Sequence, residues 1–254
     1  MSDSRVQVGS YTILGDRAYQ QDLCAYEWNG DMLLAVVCDG MGGMEGGELA
    51  SKLGVSTALK MLHEMPPAGI GQAADWMRNA FIQADSEIAG LRRADGAPMN
   101  SGSTGIMVII DGGRMQWGCV GDSRIYFKRG EDIRTVTRMH NYNLTLDEML
   151  RTGKITEQER VTMSARGEAL ISFLGIGGIP IIDTGDLIDL QEGDVVVLVS
   201  DGVYKSLDDQ QVNAIVEESG ENMNIAAQRL CDEAYRLGVK KQDNTTAIAI
   251  RYGS

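Results

Sequence analysis

Four short stretches of this chain are apolar on both faces that a β-strand would present. They are residues 32–38 (MLLAVVC), 105–110 (GIMVII), 195–199 (VVVLV) and 246–250 (TAIAI). In a sheet with one wet side, every second residue of such a run would face water, so these stretches read as strands covered on both sides. Residues 115–120 form a fifth strand-like run, and the DGGR sequence from Asp111 to Arg114 reads as a hairpin turn before it. Helical spacing of apolar residues occurs over 48–65, 71–91, 208–218 and 225–237. The helices fall in pairs separated by groups of strands. This order argues for sheets packed centrally with helices outside, and against a strictly alternating βαβ sheet. Residues 138–180 are weakly periodic, polar and spotted with glycine, and read as a surface excursion between core strands.

Composition narrows the function. The formal charge of −13 over 254 residues argues against a nucleic-acid partner, because phosphate backbones are held by clustered Lys and Arg. It does not exclude a phosphorylated ligand if bound cations reverse the local field. The opening MSDSRVQVGSY has no apolar secretory core, and no stretch approaches eighteen uncharged apolar residues, so no membrane contact is expected. Cys24, Cys38, Cys119 and Cys231 lack metal-type or C-x-x-C spacing and are expected to be reduced thiols of a cytoplasmic protein.

Several common phosphate chemistries are absent from the sequence. It has no G-x-x-x-x-G-K-[ST], no G-x-G-x-x-G, and no cysteine followed six positions later by arginine. Two histidines, His63 and His140, cannot build a histidine-rich dinuclear site; His63 falls on a predicted helix as a surface or boundary residue. The aspartates are better placed. AVVCDGMGG ends a strand-like run at Asp39, VVVLVSDG ends one at Asp201, and KKQDNTTAIAI leads into one from Asp243. An Asp-Gly at a strand end delivers a carboxylate from a rigid element, and the glycine lets the backbone offer its own carbonyl. Hard cations such as Mg²⁺ and Mn²⁺ prefer such oxygen ligands. Any one Asp-Gly taken alone reads more readily as a turn; two, with an Asp-Asn before a third strand and a Gly-rich loop, point to a site.

At these residues the chain resembles the metal-dependent protein serine/threonine phosphatases, the PPM or type-2C class, in its small bacterial form. Arg17–Asp22 (RAYQQD) is similar to the family's R-x-x-N-[QE]-D. Val37–Gly43 followed by Gly47–Ser51 is similar to D-G-M-G-G…G-E-x-A-S. Gly102-Ser103-Thr104, Val120–Arg124 (VGDSR), Leu198–Val203 (LVSDGV) and Gln242–Thr246 (QDNTT) complete six motifs in the family's order. The resemblance implies an α+β fold, a four-layer α-β-β-α sandwich with two central, mainly antiparallel sheets flanked by helix pairs. It implies one catalytic domain over residues 1–254, with a flap-like segment at about 138–180.

The resemblance also implies roles. Asp39 would bridge two metal ions, the Gly40 carbonyl would bind one, and Asp201 and Asp243 the other, so the catalytic set is Arg17, Asp39, Asp201 and Asp243. Gln21, Asp22 and Asn244 would stand behind the ligands, where the first two order metal-bound water. Arg17 would grip phosphate with its planar donor fork. Asp122, with Asp201, would hold a third and weaker metal. Cofactors would be two Mn²⁺ or Mg²⁺ ions, with this third as an addition. Partners would be phosphorylated proteins, including a bacterial serine/threonine kinase and its substrates, and the protein would be a cytoplasmic monomer. Two departures stand out: Gln20 replaces Asn, and Met139-His140-Asn141 replaces the D-H-S segment beside the third metal and flap; Met41 stands where animal relatives carry a histidine and bacterial members commonly carry methionine. Two other functions are compatible with the residues, a non-catalytic phosphoprotein-binding module and a small-molecule phosphoesterase.

Overall fold

The structure is a computed structural model and describes residues 5–42, 46–238 and 241–253. In chain order the first elements are β1 (Val6–Ile13), β2 (Asp22–Asn29), β3 (Met32–Met41), α1 (Gly46–Glu64), α2 (Ala73–Ala89), β4 (Gly102–Ser103), β5 (Gly105–Asp111) and β6 (Arg114–Val120). Then come β7 (Arg124–Arg129), β8 (Asp132–Thr135), α3 (Tyr142–Arg151), α4 (Glu157–Met163), β9 (Asp183–Thr184) and β10 (Ile188–Asp189). The last are β11 (Val195–Val199), α5 (Asp201–Tyr204), α6 (Asp209–Glu218), α7 (Met223–Leu237) and β12 (Thr245–Tyr252). One sheet has the order β1-β12-β11-β7-β8. The other has β10-β6-β5-β3-β2, with β4 on β3 and β9 on β6.

The doubly apolar runs are explained by what covers them. On β3, Leu34, Val36 and Cys38 pack against α1 and α2, while Leu33, Ala35 and Val37 face the other sheet. On β11, Val196 and Leu198 point between the sheets, and Val195, Val197 and Val199 pack under α6 and α7. On β12, Ile248 and Ile250 point inward, and Ala247 and Ala249 meet the helices. Each run therefore lines two cores at once, and the three apolar clusters are the three interfaces of a helix-sheet-sheet-helix stack. Fully burying a Val, Leu or Ile side chain contributes about 1.5–3 kcal/mol, so a polar residue in any of these runs would be costly on either face.

The expected α+β four-layer arrangement is present, and every strand pairing is antiparallel. The Asp111–Arg114 turn carries Gly112 and Gly113 at φ 57° and 77°, as a two-residue hairpin with both central residues left-handed requires. No helix among the described residues is long and apolar enough to cross a membrane.

One expectation needs correction. Much of residues 138–180 is helical, not irregular. Leu146 is the buried anchor of α3, and α4 starts with a reciprocal cap in which Thr156 Oγ1 accepts from Glu159 N and the Glu159 carboxylate accepts from Thr156 N. That T-x-x-E signal was present in the sequence. Along α4 no residue is buried, so this pair rests on few core contacts. Amides between Asn143 and Arg166 should exchange much faster than those of β11; equal protection would show that the segment is not a separately opening unit.

Candidate active site

Strand register brings the first two acidic residues together. Asp22 and Asp39 are direct partners in the β2–β3 ladder. By the alternation that sends Val37 and Cys24 between the sheets, both point into the cleft from one sheet's end. Asp39 is fixed by its backbone. Its N–H donates to Thr104 Oγ1 (3.1 Å), and its carbonyl accepts from Thr104 N (2.8 Å) and Ser103 Oγ (3.0 Å). Thr104 Oγ1 in turn shares a hydrogen bond with Ser123 Oγ (2.7 Å). The Gly-Ser-Thr motif, for which the sequence offered no role, is thus the clamp on the Asp39 strand.

Gly40 donates its N–H to the Gln21 carbonyl (3.0 Å), and a Cβ on it would lie 2.0 Å from the Gly47 carbonyl oxygen. A Cβ on Gly47 would lie 2.9 Å from the Gly40 carbonyl and 2.4 Å from the Gln21 amide. Glycine at both places is what lets the start of α1 approach this turn. Gly43, in the same signature, lies outside the described residues.

The opposite sheet supplies the rest. Asp201 begins α5 directly after β11, and its Oδ2 accepts from Lys205 Nζ at 2.5 Å. Between them in the cleft, Ser200 Oγ donates to Asp22 Oδ2 (2.6 Å) and accepts from Thr246 N (3.0 Å), tying the two sheets together. Asp243 precedes β12, and its Oδ2 receives Arg17 Nη2 at 2.5 Å. Asn244 is buried and fully engaged: Oδ1 accepts from Gln21 N (2.8 Å), and Nδ2 donates to the Leu14 (2.8 Å) and Tyr19 (3.1 Å) carbonyls. It therefore staples the loop bearing Arg17 and Gln21 onto the Asp243 strand. Gln21 also reaches the Gly42 carbonyl with Nε2 at 3.4 Å.

These carboxylates strain one another. Burial, reinforced by Asp22, Asp201, Asp122 and Asp243, holds Asp39 well above the usual carboxylate range. Burial pushes Asp22 up to about 7, against hydrogen bonds from Ser200 and Thr246 that favour its ionised form. Asp122 is raised by burial and then by Asp201, with Lys205 and Tyr204 acting the other way. Five carboxylates converging on one cleft require cationic charge if most are to be ionised at neutral pH. An all-oxygen, acidic donor set suits Mg²⁺ or Mn²⁺, so the chemistry of Asp39, Gly40, Asp201 and Asp243 is compatible with the ions that the family resemblance implies. Among the described residues no three His, Cys, Asp or Glu side chains are arranged so that they could hold a metal ion as they stand; Arg17 and Lys205 engage Asp243 and Asp201.

His140, left open by the sequence, is a buried structural residue. Its Nδ1 accepts from Gly121 N (3.1 Å) and its Nε2 faces Asp183 Oδ2 (3.0 Å), which Arg138 also grips. Burial lowers its pKa, and accepting at Nδ1 keeps it neutral while it braces the turn beside Asp122. His63 lies in α1, paired with Glu27. The cysteines are free thiols, three of them buried, with Cys24 and Cys38 pushed up to about 11 and 12 by burial. Lys205 was missed at sequence level although an Asp-x-x-x-Lys spacing on a helix start announces such a pair.

The *Listeria monocytogenes* serine/threonine phosphatase stp is 25% identical over 218 residues, covering 85% of this chain and 83% of that protein. A serine/threonine phosphatase of *S. agalactiae* superposes with a TM-score of 0.83 at 24% identity, over 97% of this chain and 99% of that one. The catalytic domain of the phosphatase PstP, solved in complex with two manganese ions, superposes with a TM-score of 0.76 at 22% identity, over 98% and 99%. At these identities the structural likeness is one of fold. The sequence pattern that defines the family described as Protein phosphatase 2C matches residues 14–233, a span that takes in five of the six motifs, and this chain belongs to that family.

Proposed function

We propose that this chain hydrolyses phosphoserine and phosphothreonine in proteins, using two divalent cations held by Asp39, the Gly40 carbonyl, Asp201 and Asp243. The observation that carries this is the convergence of carboxylates from both sheets on one cleft mouth, with Arg17 at its edge. Two such cations, when bound, lower the pKa of water and screen phosphate charge. Asp39, anchored through its backbone, would bridge them. Asp22, held by Ser200, and Gln21 would order water beside the ligands. Arg17 would turn from Asp243 to orient the phosphate, its loop kept in place by Asn244. Relatives named as a serine/threonine phosphatase and a protein phosphatase support phosphorylated proteins as substrates; a bacterial serine/threonine kinase and its targets are the partners we propose among them. They also support residues 1–254 as one catalytic domain.

Turnover of a phosphothreonine peptide, a phosphotyrosine peptide and a small phosphoester, each with and without Mn²⁺, tests the proposal. Mn²⁺-dependent preference for the phosphothreonine peptide supports it. No turnover of any would leave a binding module, and preference for the small ester a small-molecule phosphoesterase.

Arg17→Ala should raise KM for the phosphopeptide, since the role proposed for the side chain is to hold phosphate and not metal. Arg17→Lys should recover only part, because a point charge lacks the two-pronged geometry. A normal KM with a collapsed kcat would assign Arg17 to the transition state instead.

A further inference from the structure

We propose that the Lys205 ammonium occupies the position that the family resemblance assigns to a third cation, so that this protein takes up two divalent ions and not three. The proposal rests on the dinuclear reading above. The third position would be built from Asp122 and Asp201. In this structure Asp201 Oδ2 is engaged by Lys205 Nζ at 2.5 Å, with the Asp201 side chain 14% exposed. The two residues are four apart, so the start of α5 directs the lysine back over its own first turn. The same ammonium acts electrostatically on Asp122 and on Asp39, so its positive charge is felt by all three carboxylates. A further positive group is close: the Arg124 guanidinium stacks on the ring of Tyr204 at 4.0 Å.

An ammonium on Asp201 Oδ2 competes with a third divalent ion for that oxygen and repels it. The segment on the other side points the same way. Met139 and Asn141 stand where the resemblance places an aspartate and a serine. Met139 offers its sulfur to Arg124 Nη2 (3.6 Å), and Asn141 is buried with its amide towards Glu168 (3.4 Å). Neither brings a carboxylate to Asp122. A covalently supplied charge of +1 thus replaces an exchangeable charge of +2, and the charge near Asp122 becomes independent of metal concentration.

Equilibrium dialysis against Mn²⁺ followed by metal analysis, on the whole chain, tests this by stoichiometry without reference to activity. Wild type should saturate at two ions. Lys205→Met, of similar length and uncharged, should gain a third site, with affinity there at least roughly tenfold above any in wild type. Adding Asp122→Asn should remove that site again. Lys205→Arg, which keeps the charge, should stay at two. Lys205 is half-exposed, and circular dichroism of each variant checks that the fold is kept. Three ions in wild type, or only two in Lys205→Met, would overturn the proposal while leaving the dinuclear site intact. Fewer than two in wild type would overturn both.

Discussion

Asp39→Asn is expected to lower phosphopeptide turnover by roughly a hundredfold or more, because displacing a reacting group by about an ångström already costs that much. The substitution keeps the shape of the side chain and the backbone clamp from Thr104 and Ser103, but removes the charge proposed to bridge two cations. Its effect on stability should have the opposite sign. Asp39 is raised by burial and by like charges, so in the metal-free protein its ionisation opposes folding. A carboxylate whose folded pKa is raised loses stability as pH rises from its unfolded pKa through its folded one. The metal-free variant should therefore unfold at a higher temperature than wild type near pH 8, with the difference shrinking as pH falls and the wild-type carboxylate takes up its proton. Asp243→Asn should reduce turnover similarly, and it also releases Arg17 from its ion pair. Undiminished turnover in either variant would remove that residue from the metal site.

Chelation is expected to abolish activity and thiol alkylation to leave it intact. The donor set is oxygen alone, whereas Cys38, Cys119 and Cys231 are buried with thiol pKa values pushed up, which makes them poor nucleophiles. Mn²⁺ at about a hundred times its dissociation constant should stabilise the fold by about 2.7 kcal/mol per site, seen as a rise in Tm that chelator reverses and Asp39→Asn suppresses. Full activity in excess chelator would refute the mechanism, as would its loss on alkylating one cysteine.

The parts of this protein legible in its sequence are those encoded locally. Runs such as residues 195–199 are apolar on both faces, and only a strand between two layers satisfies that pattern. Asp39 and Asp201 follow such runs with a glycine behind them, so their placement at strand ends could be read from residue order. Less regular strands escaped notice. On β7, Lys128 is buried along its stem while Nζ reaches the Gly130 carbonyl and Glu217, so a charged letter conceals a core position. In β1 and β2 most side chains are half-buried, which blurs the alternation.

Pairings across the cleft were decided by tertiary structure alone. That Asp22 lies beside Asp39 follows from a ladder register, and that Ser200 reaches Asp22 follows from packing one sheet on the other across 178 positions of sequence. The same holds for Asn244, whose amide is engaged by backbone groups more than 220 residues away, and for the influence of the Lys205 charge on Asp122 and Asp39. Hydrophobic periodicity records which face of an element is buried. It carries no record of what lies opposite, and the charges on this site are set by what lies opposite.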